Sequence, residues 1–338
     1  MIDLRKILKI FSLFACILLV ISFIVYSEEI KDSLINALMI CGKSIIPGLF
    51  PILCIVLIIV NSGYVSYLPE KAYTYFLFVL AMISGYPVGS KLLSTAVKSK
   101  QLSEYDAKKI LPTMVCAGPA FIINLVGSNI FGSSIIGLRI YLSIVFSNFT
   151  LFLILGGYKI KLYKNRSNTT FINTISNSIK QSADSIMNIC GYFLLLSAIA
   201  SIAKDLFNKK TADCIIYVLE VTNGVFLSRN IYLTCAILSF GGLCVIMQII
   251  SSVENLKINV AKLLIIRFIS AAVSNIYLKI GFIIFPSEIN IISTIHNANT
   301  PAVTYNLPFA IFFLFSVFVL LLSIKRAPTG NFYNDVAV

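Results

Sequence analysis

The chain has 338 residues, of which 58% are hydrophobic and only 12% charged. Its mean hydropathy of +0.92 is more apolar surface than a soluble domain can bury, so the composition is that of a polytopic membrane protein. The net charge of +13 would suggest nucleic acid in a soluble chain. Here it reads as loop and helix-end Lys and Arg that set orientation and meet anionic headgroups.

The first expected span runs from Leu8 to Tyr26, within an N-terminal unit 1–27. Arg5, Lys6 and Lys9 precede it and Glu28, Glu29 and Asp32 follow, which places the N-terminus in the cytoplasm by the positive-inside rule. The run is long enough to span, and no small-residue cleavage site precedes SEEIKD, so a retained helix is expected rather than a signal peptide. Residues 28–43 place Ile30, Leu34, Leu38 and Cys41 on one face, the pattern of a helix lying along the interface. The next span, beginning at Ser44, carries Pro47 and Pro51, which predict a kink or a broken first turn.

The apolar run Tyr73 to Ile83 is short for a span and stops at Ser84-Gly85-Tyr86-Pro87, which fits a re-entrant segment. Ser103 with Asp106 marks a helix start, running through Lys108 and Lys109 towards Met114. The segment CAGPAFIINLVG follows, then a span from Ile135 to about Leu155. Lys159, Lys161, Lys164 and Arg166 should be cytoplasmic and open a linker, 159–178, whose Asn- and Ser-rich part ends it.

Beyond the linker the order repeats. SIMNICGYFLLLSAIASIAK can be laid over SIIPGLFPILCIVLIIVNSG, with Ser185 on Ser44. A short run from Cys214 to Leu219 breaks at Glu220-Val221-Thr222-Asn223-Gly224. A second break falls at Ser239-Phe240-Gly241-Gly242, and a span from about Leu263 to Ile284 closes the repeat. The 285–306 loop has no Lys or Arg and suits the outside; a last span, Leu307 to Ile324, would return to Lys325 and Arg326 inside. The expected fold is all-α and polytopic. Two inverted-topology repeats, 28–158 and 179–285, would carry re-entrant hairpins and broken helices; 286–338 would hold the external loop, last span and cytoplasmic tail. Both termini would face the cytoplasm.

Glycine and proline release backbone groups that hydrocarbon cannot satisfy, so such breaks should line a cavity or be buried in protein. In the first half these are Gly85, Tyr86, Pro87 and Gly89 with the Ser90 hydroxyl, then Gly118, Pro119 and Asn124. In the second they are Glu220, Thr222 and Asn223, then Gly241 and Gly242, with the Gln248 amide beyond. Glu220 is the main ionisable candidate: it could accept hydrogen bonds from a solute, bind Na⁺ with freed carbonyls, or take a proton. It could equally be an interfacial loop acid, and Gln248 could be helix–helix glue. Arg139, Arg267 and Lys279 read as side chains snorkelling to the interface or, alternatively, pairing with an acid such as Glu220, and His296 reads as a polar loop residue. Eight cysteines without CxxC, and a single histidine, read as small buried hydrophobes rather than a disulfide or metal framework. No hydrolase, metalloprotease or phosphate-loop motif appears, so no enzyme is expected.

SGYPVGSK, AGPAF, EVTNG, and SFGG followed by Gln248, in that order, resemble the sporulation integral membrane protein YlbJ family and the wider nucleoside-recognition (Gate) domain family. The resemblance covers about residues 30–285. It implies a bacterial plasma-membrane protein connected with building the spore cortex, and a central solute site supplied by a hairpin and an unwound helix from each half. Carried onto this chain, it points to Gly85, Pro87, Gly118 and Pro119, and to Glu220, Asn223, Gly241, Gly242 and Gln248. Relatives often place Asn or Ser just before the Gly-Pro; this chain has Val115-Cys116-Ala117 there. The expected activity is movement of a small polar solute or ion, with Na⁺ or H⁺ as the possible coupling ion and no other cofactor. The rival reading is a non-transporting protein that acts in spore-envelope assembly through membrane-protein partners. Besides the bilayer, homo-oligomerisation is the remaining partner expectation, and nucleic acid is not one.

Overall fold

The computed structural model describes residues 4–62, 68–160, 171–253 and 256–286. The last expected span, most of the 285–306 loop with His296, and Lys161, Lys164 and Arg166 lie outside these residues. All regular structure among the described residues is helical. Among the described residues, five helices are long and apolar enough to cross a membrane: Ser27–Asn61, Ser134–Ile154, Phe171–Leu206, Ile231–Ser252 and Val260–Ile284. Their outer faces carry exposed Ile, Leu and Phe, such as Ile135, Phe146, Ile265 and Phe268, which suits contact with lipid rather than water.

Helix α1 (Leu4–Val25) is followed after Tyr26 by α2 (Ser27–Ile40), a π-helical turn Cys41–Ile45 and α3 (Ile46–Asn61). These last three form one rod. Pro47 lacks the N–H that an α-helix would aim at the Lys43 carbonyl, and its ring would press on that carbonyl. The π turn absorbs the strain: Ile46 N–H bonds instead to Cys41 O, one residue further back. The expected break at the prolines is therefore a bulge, and the helix runs on through Pro51.

Residues 28–43 accordingly do not lie apart on the interface. Most of their apolar stripe is claimed by α8 (Phe171–Leu206): Ile30 and Leu34 cluster with Leu196 and Ile199, and Ala37 and Cys41 with Ile189 and Phe193, while Leu38 stays exposed. The two rods are antiparallel, since Ser33 Oγ donates to Ser197 O at 3.1 Å and Asn61 Nδ2 to Ser178 Oγ at 3.0 Å. The same stripe serves a lipid surface or a partner helix, and periodicity alone does not distinguish them. Helix α8 also starts inside the expected 159–178 linker, with Thr174 and Ser178 buried.

Helix α4 (Glu70–Ser84) stops at Gly85, whose φ of +82° no side-chain-bearing residue adopts readily. Helix α5 (Val88–Lys98) then folds back beside α4. Helix α6 (Glu104–Ile110) begins at the expected cap: Asp106 N donates to Ser103 Oγ at 3.1 Å. A 3-10 turn (Leu111–Thr113), an irregular stretch over 114–118 and a π-helical segment (Phe121–Ile130) lead to α7 (Ser134–Ile154). The second set comprises α9 (Lys209–Leu219), α10 (Val221–Leu227), α11 (Ile231–Phe240), α12 (Gly242–Ser252) and α13 (Val260–Ile284). Helices α7 and α13 are antiparallel, with Arg139 over Phe282 towards one end and Asn148 against Arg267 towards the other, and they are joined by small polar side chains such as Ser147, whose Oγ donates to Ser270 O at 2.9 Å.

A central cavity between the broken helices

The two breaks of the first half touch. A methyl group on Gly85 would sit 2.9 Å from Gly118 N, and one on Gly89 would sit 1.9 Å from Met114 O. Glycine at these positions lets the α4–α5 turn seat against the 114–118 stretch. In the second half, Gly241 and Gly242 separate α11 from α12, and Gly242 lies close to the carbonyls of Val218 and Leu219, just before Glu220. Each half therefore folds one break against another.

Between these pairs lies a cavity of about 320 Å³. Ser84, Tyr86, Gly118, Pro119 and Asn124 line it from one side, and Glu220, Thr222, Cys244 and Gln248 from the other. The α2–α3 rod supplies Ile40, Ser44 and Gly48, and α8 supplies Ile189 and Phe193. The wall contains one acid, amides and hydroxyls, and no Lys, Arg or His.

Glu220 ends α9 and caps α10. Its Oε1 accepts from Thr222 N at 2.7 Å and its Oε2 from Asn223 N at 2.6 Å, and the residue is 1% exposed. No cation lies within salt-bridge distance of it among the described residues. Each carboxylate oxygen keeps a further acceptor site, so the group can receive a hydrogen bond or a cation while it holds the turn. Gln248 Nε2 donates to the Cys244 sulfur at 3.2 Å, a weak acceptor. Tyr86 Oη is buried and has no hydrogen-bond partner among the described residues. The chemistry on offer is recognition of a donor-rich solute or a small cation, with apolar walls around it; an anion would meet the Glu220 carboxylate and no Lys, Arg or His among the described lining residues.

The remaining sequence candidates sit elsewhere. Pro87 lines a neighbouring cavity of about 230 Å³ that also reaches Gln248. Asn223 faces a third cavity, of about 290 Å³, and donates to Ser197 Oγ at 3.2 Å. Gly85, Gly89, Gly241 and Gly242 serve close packing, and Ser90 donates back to Pro87 O within its own turn.

Arg267 corrects the snorkelling expectation. Its side chain is wholly buried. Nη1 donates to Val115 O at 2.9 Å and to Pro112 O and Asn148 Oδ1 at 3.2 Å, while Nε reaches Phe240 O at 3.4 Å. Nη2 has no hydrogen-bond partner among the described residues. The guanidinium ties the 112–115 stretch of the first half to the end of α11 in the second. Arg139 lies over the Phe282 ring at 5.1 Å, and Lys279 is exposed. The sequence signal for the Arg267 node was available: Arg267, Ser270 and Ser274 share one face of α13, opposite Ser143, Ser147 and Asn148 on α7. No family model, curated protein or solved structure matches this chain.

Proposed function

We propose that this chain moves a small polar solute or a cation across the membrane by relative motion of two halves of opposite orientation, 28–158 and 179–285. Glu220 is its main polar contact. The observation that carries this reading is the shared cavity: breaks from both parts of the chain, Ser84–Tyr86 and Gly118–Pro119 on one side and Glu220 and Gln248 on the other, line one space. Its volume falls at the small end of the range usual for ligand sites, about 300–1,000 Å³. Further support comes from the order of elements. A long rod, a short helix broken at a polar turn, a second break and a closing helix occur twice, and both the rods and the closing helices pair antiparallel.

The resemblance to the YlbJ and Gate families belongs to the same proposal. So do a bacterial plasma-membrane location with cytoplasmic termini, a connection with spore-cortex formation, and Na⁺ or H⁺ coupling. The test is flux into proteoliposomes across a panel of nucleosides, amines and small cations, for the native chain and Glu220→Gln. Flux of one class that falls at least tenfold in the variant supports the role of Glu220. Undiminished flux in the variant refutes that role, and absence of flux for every class favours action through protein partners.

A further inference from the structure

Three cavities succeed one another along α8. On that helix the first is lined by Asp184, Ser185, Asn188 and Ile189, the central one by Ile189 and Phe193, and the third by Phe193, Ser197, Ser201, Lys204 and Asp205. Ser185, Ile189, Phe193, Ser197, Ser201 and Asp205 recur at every fourth position, a stripe that winds slowly round a helix of about 3.6 residues per turn. From Ser185 to Asp205 the axis advances about 30 Å, the thickness of the hydrocarbon core.

The two end cavities reach the surface. Asp184, Asn188 and Lys98 are exposed at one mouth, and Glu29, Asn36 and Lys204 at the other. Their inner walls are shared with the centre: Ile189 and Gln248 border the first and central cavities, and Ile40 and Phe193 the central and third. The first turn of α10 completes the second partition, with Glu220 and Thr222 on the central side and Asn223 on the other. Phe193 is 2% exposed and fills that partition.

We infer that the α8 stripe is one wall of a transmembrane solute route, closed on one side of Glu220 by Phe193 with Ile40 and on the other by Ile189 with Gln248. This rests on the transport reading for its purpose but not for its geometry. Both mouths carry acids and bases together, Lys91, Lys98 and Asp184 at the first and Glu29, Asp205 and Lys204 at the third, so the two do not share one sign that would select along the whole route. Selection falls to the centre, where among the described residues Glu220 is the one Asp, Glu, Lys, Arg or His side chain in the lining. The solute class is thereby a neutral or cationic polar molecule rather than an anion.

The experiment is thiol accessibility in the full-length chain, with native cysteines replaced and single cysteines restored, in sealed vesicles of known orientation. The probe is a membrane-impermeant, positively charged methanethiosulfonate. Asn188→Cys should react from one face and Ser201→Cys from the opposite face, while lipid-facing Leu195→Cys should react from neither. Cys244, in the central cavity, should be unreactive from the Ser201 face and become reactive from that face when Phe193→Ala is introduced. Ile40→Ala opens the same partition from α2 and replaces Phe193→Ala if that variant does not fold.

Reaction of positions 188 and 201 from the same face, silence of position 201 from both, or a Cys244 indifferent to both openings while the Asn188→Cys pattern persists would overturn the inference. The labelling needs no solute, so the outcomes separate. The expected pattern without flux keeps the route and removes transport; flux without the pattern keeps transport and moves the route away from α8.

Discussion

Glu220→Ala strips two acceptors from a buried turn. In the native chain both carboxylate oxygens are occupied, at 2.7 Å by Thr222 N and at 2.6 Å by Asn223 N. An orphaned buried N–H costs about 1–3 kcal/mol, and loss of an ordinary N-cap about 0.5–2 kcal/mol. Two orphans at a residue 1% exposed place Glu220→Ala at the upper end, about 3 kcal/mol. Glu220→Gln keeps one carbonyl acceptor but turns an NH₂ towards the other N–H, so it should cost about 1–2 kcal/mol. The assay is thermal unfolding in detergent, followed by a thiol-reactive dye that reports exposure of the buried cysteines. At about 2–4 °C per kcal/mol, the order should be native above Gln above Ala, with steps of several degrees. Detergent unfolding is commonly irreversible, so the ranking is compared at one scan rate. If alanine unfolds at or above the glutamine variant, the capping argument fails. The flux test of Glu220→Gln is to be read at a temperature where both chains are folded.

Arg267→Met should destabilise modestly, by about 1–3 kcal/mol, because it orphans chiefly Pro112 O and otherwise removes only a long 3.4 Å contact to Phe240 O. Val115 O retains Asn148 Nδ2 and Asn148 Oδ1 retains Ser270 Oγ, so a loss beyond about 5 kcal/mol in the same unfolding assay would contradict that accounting. Gly89→Ala places a methyl 1.9 Å from Met114 O and should abolish monodisperse expression, whereas Gly191→Ala on α8 meets nothing within 4 Å and should be neutral or stabilising by about 0.5–1 kcal/mol. Solute affinity, measured by equilibrium binding once a ligand is found, should fall more for Gln248→Ala than for Asn223→Ala. Only Gln248 lines the central cavity, and equal losses would place the site differently.

The breaks were legible because their chemistry is local. Gly85 and Gly241 take positive φ, Glu220 and Ser103 cap the helices that follow them, and each is readable from a few neighbouring residues. What the periodicity of 28–43 could not disclose is which apolar surface its stripe meets, and that surface is α8. The prolines misled for a related reason. A proline forbids one hydrogen bond, but whether the chain kinks or inserts a π turn depends on the tertiary contacts holding the rod straight. For Arg267 the serines on its face of α13 mark a polar seam but not what the guanidinium meets, because its partners Pro112 and Val115 are 155 and 152 positions away. A lone arginine in an apolar span reads as one reaching for water until those carbonyls are in view. Asn223 shows the finer limit: adjacency to Glu220 in sequence became, on a short helix, two different cavities.

The guanidinium of Arg267 also restricts how this molecule can change shape. It has no counter-charge within ion-pair distance among the described residues; four neutral acceptors drawn from Pro112, Val115, Asn148 and Phe240 stand in for water. Pulling those acceptors away by a few ångströms would leave a bare ion in a dry interior, a penalty of several kcal/mol. The 112–115 stretch and the junction of α11 with α13 are thus pinned together. A transport cycle would have to turn about that pin as a fulcrum, with its largest excursions at the far side, where α2, α3 and α8 lie.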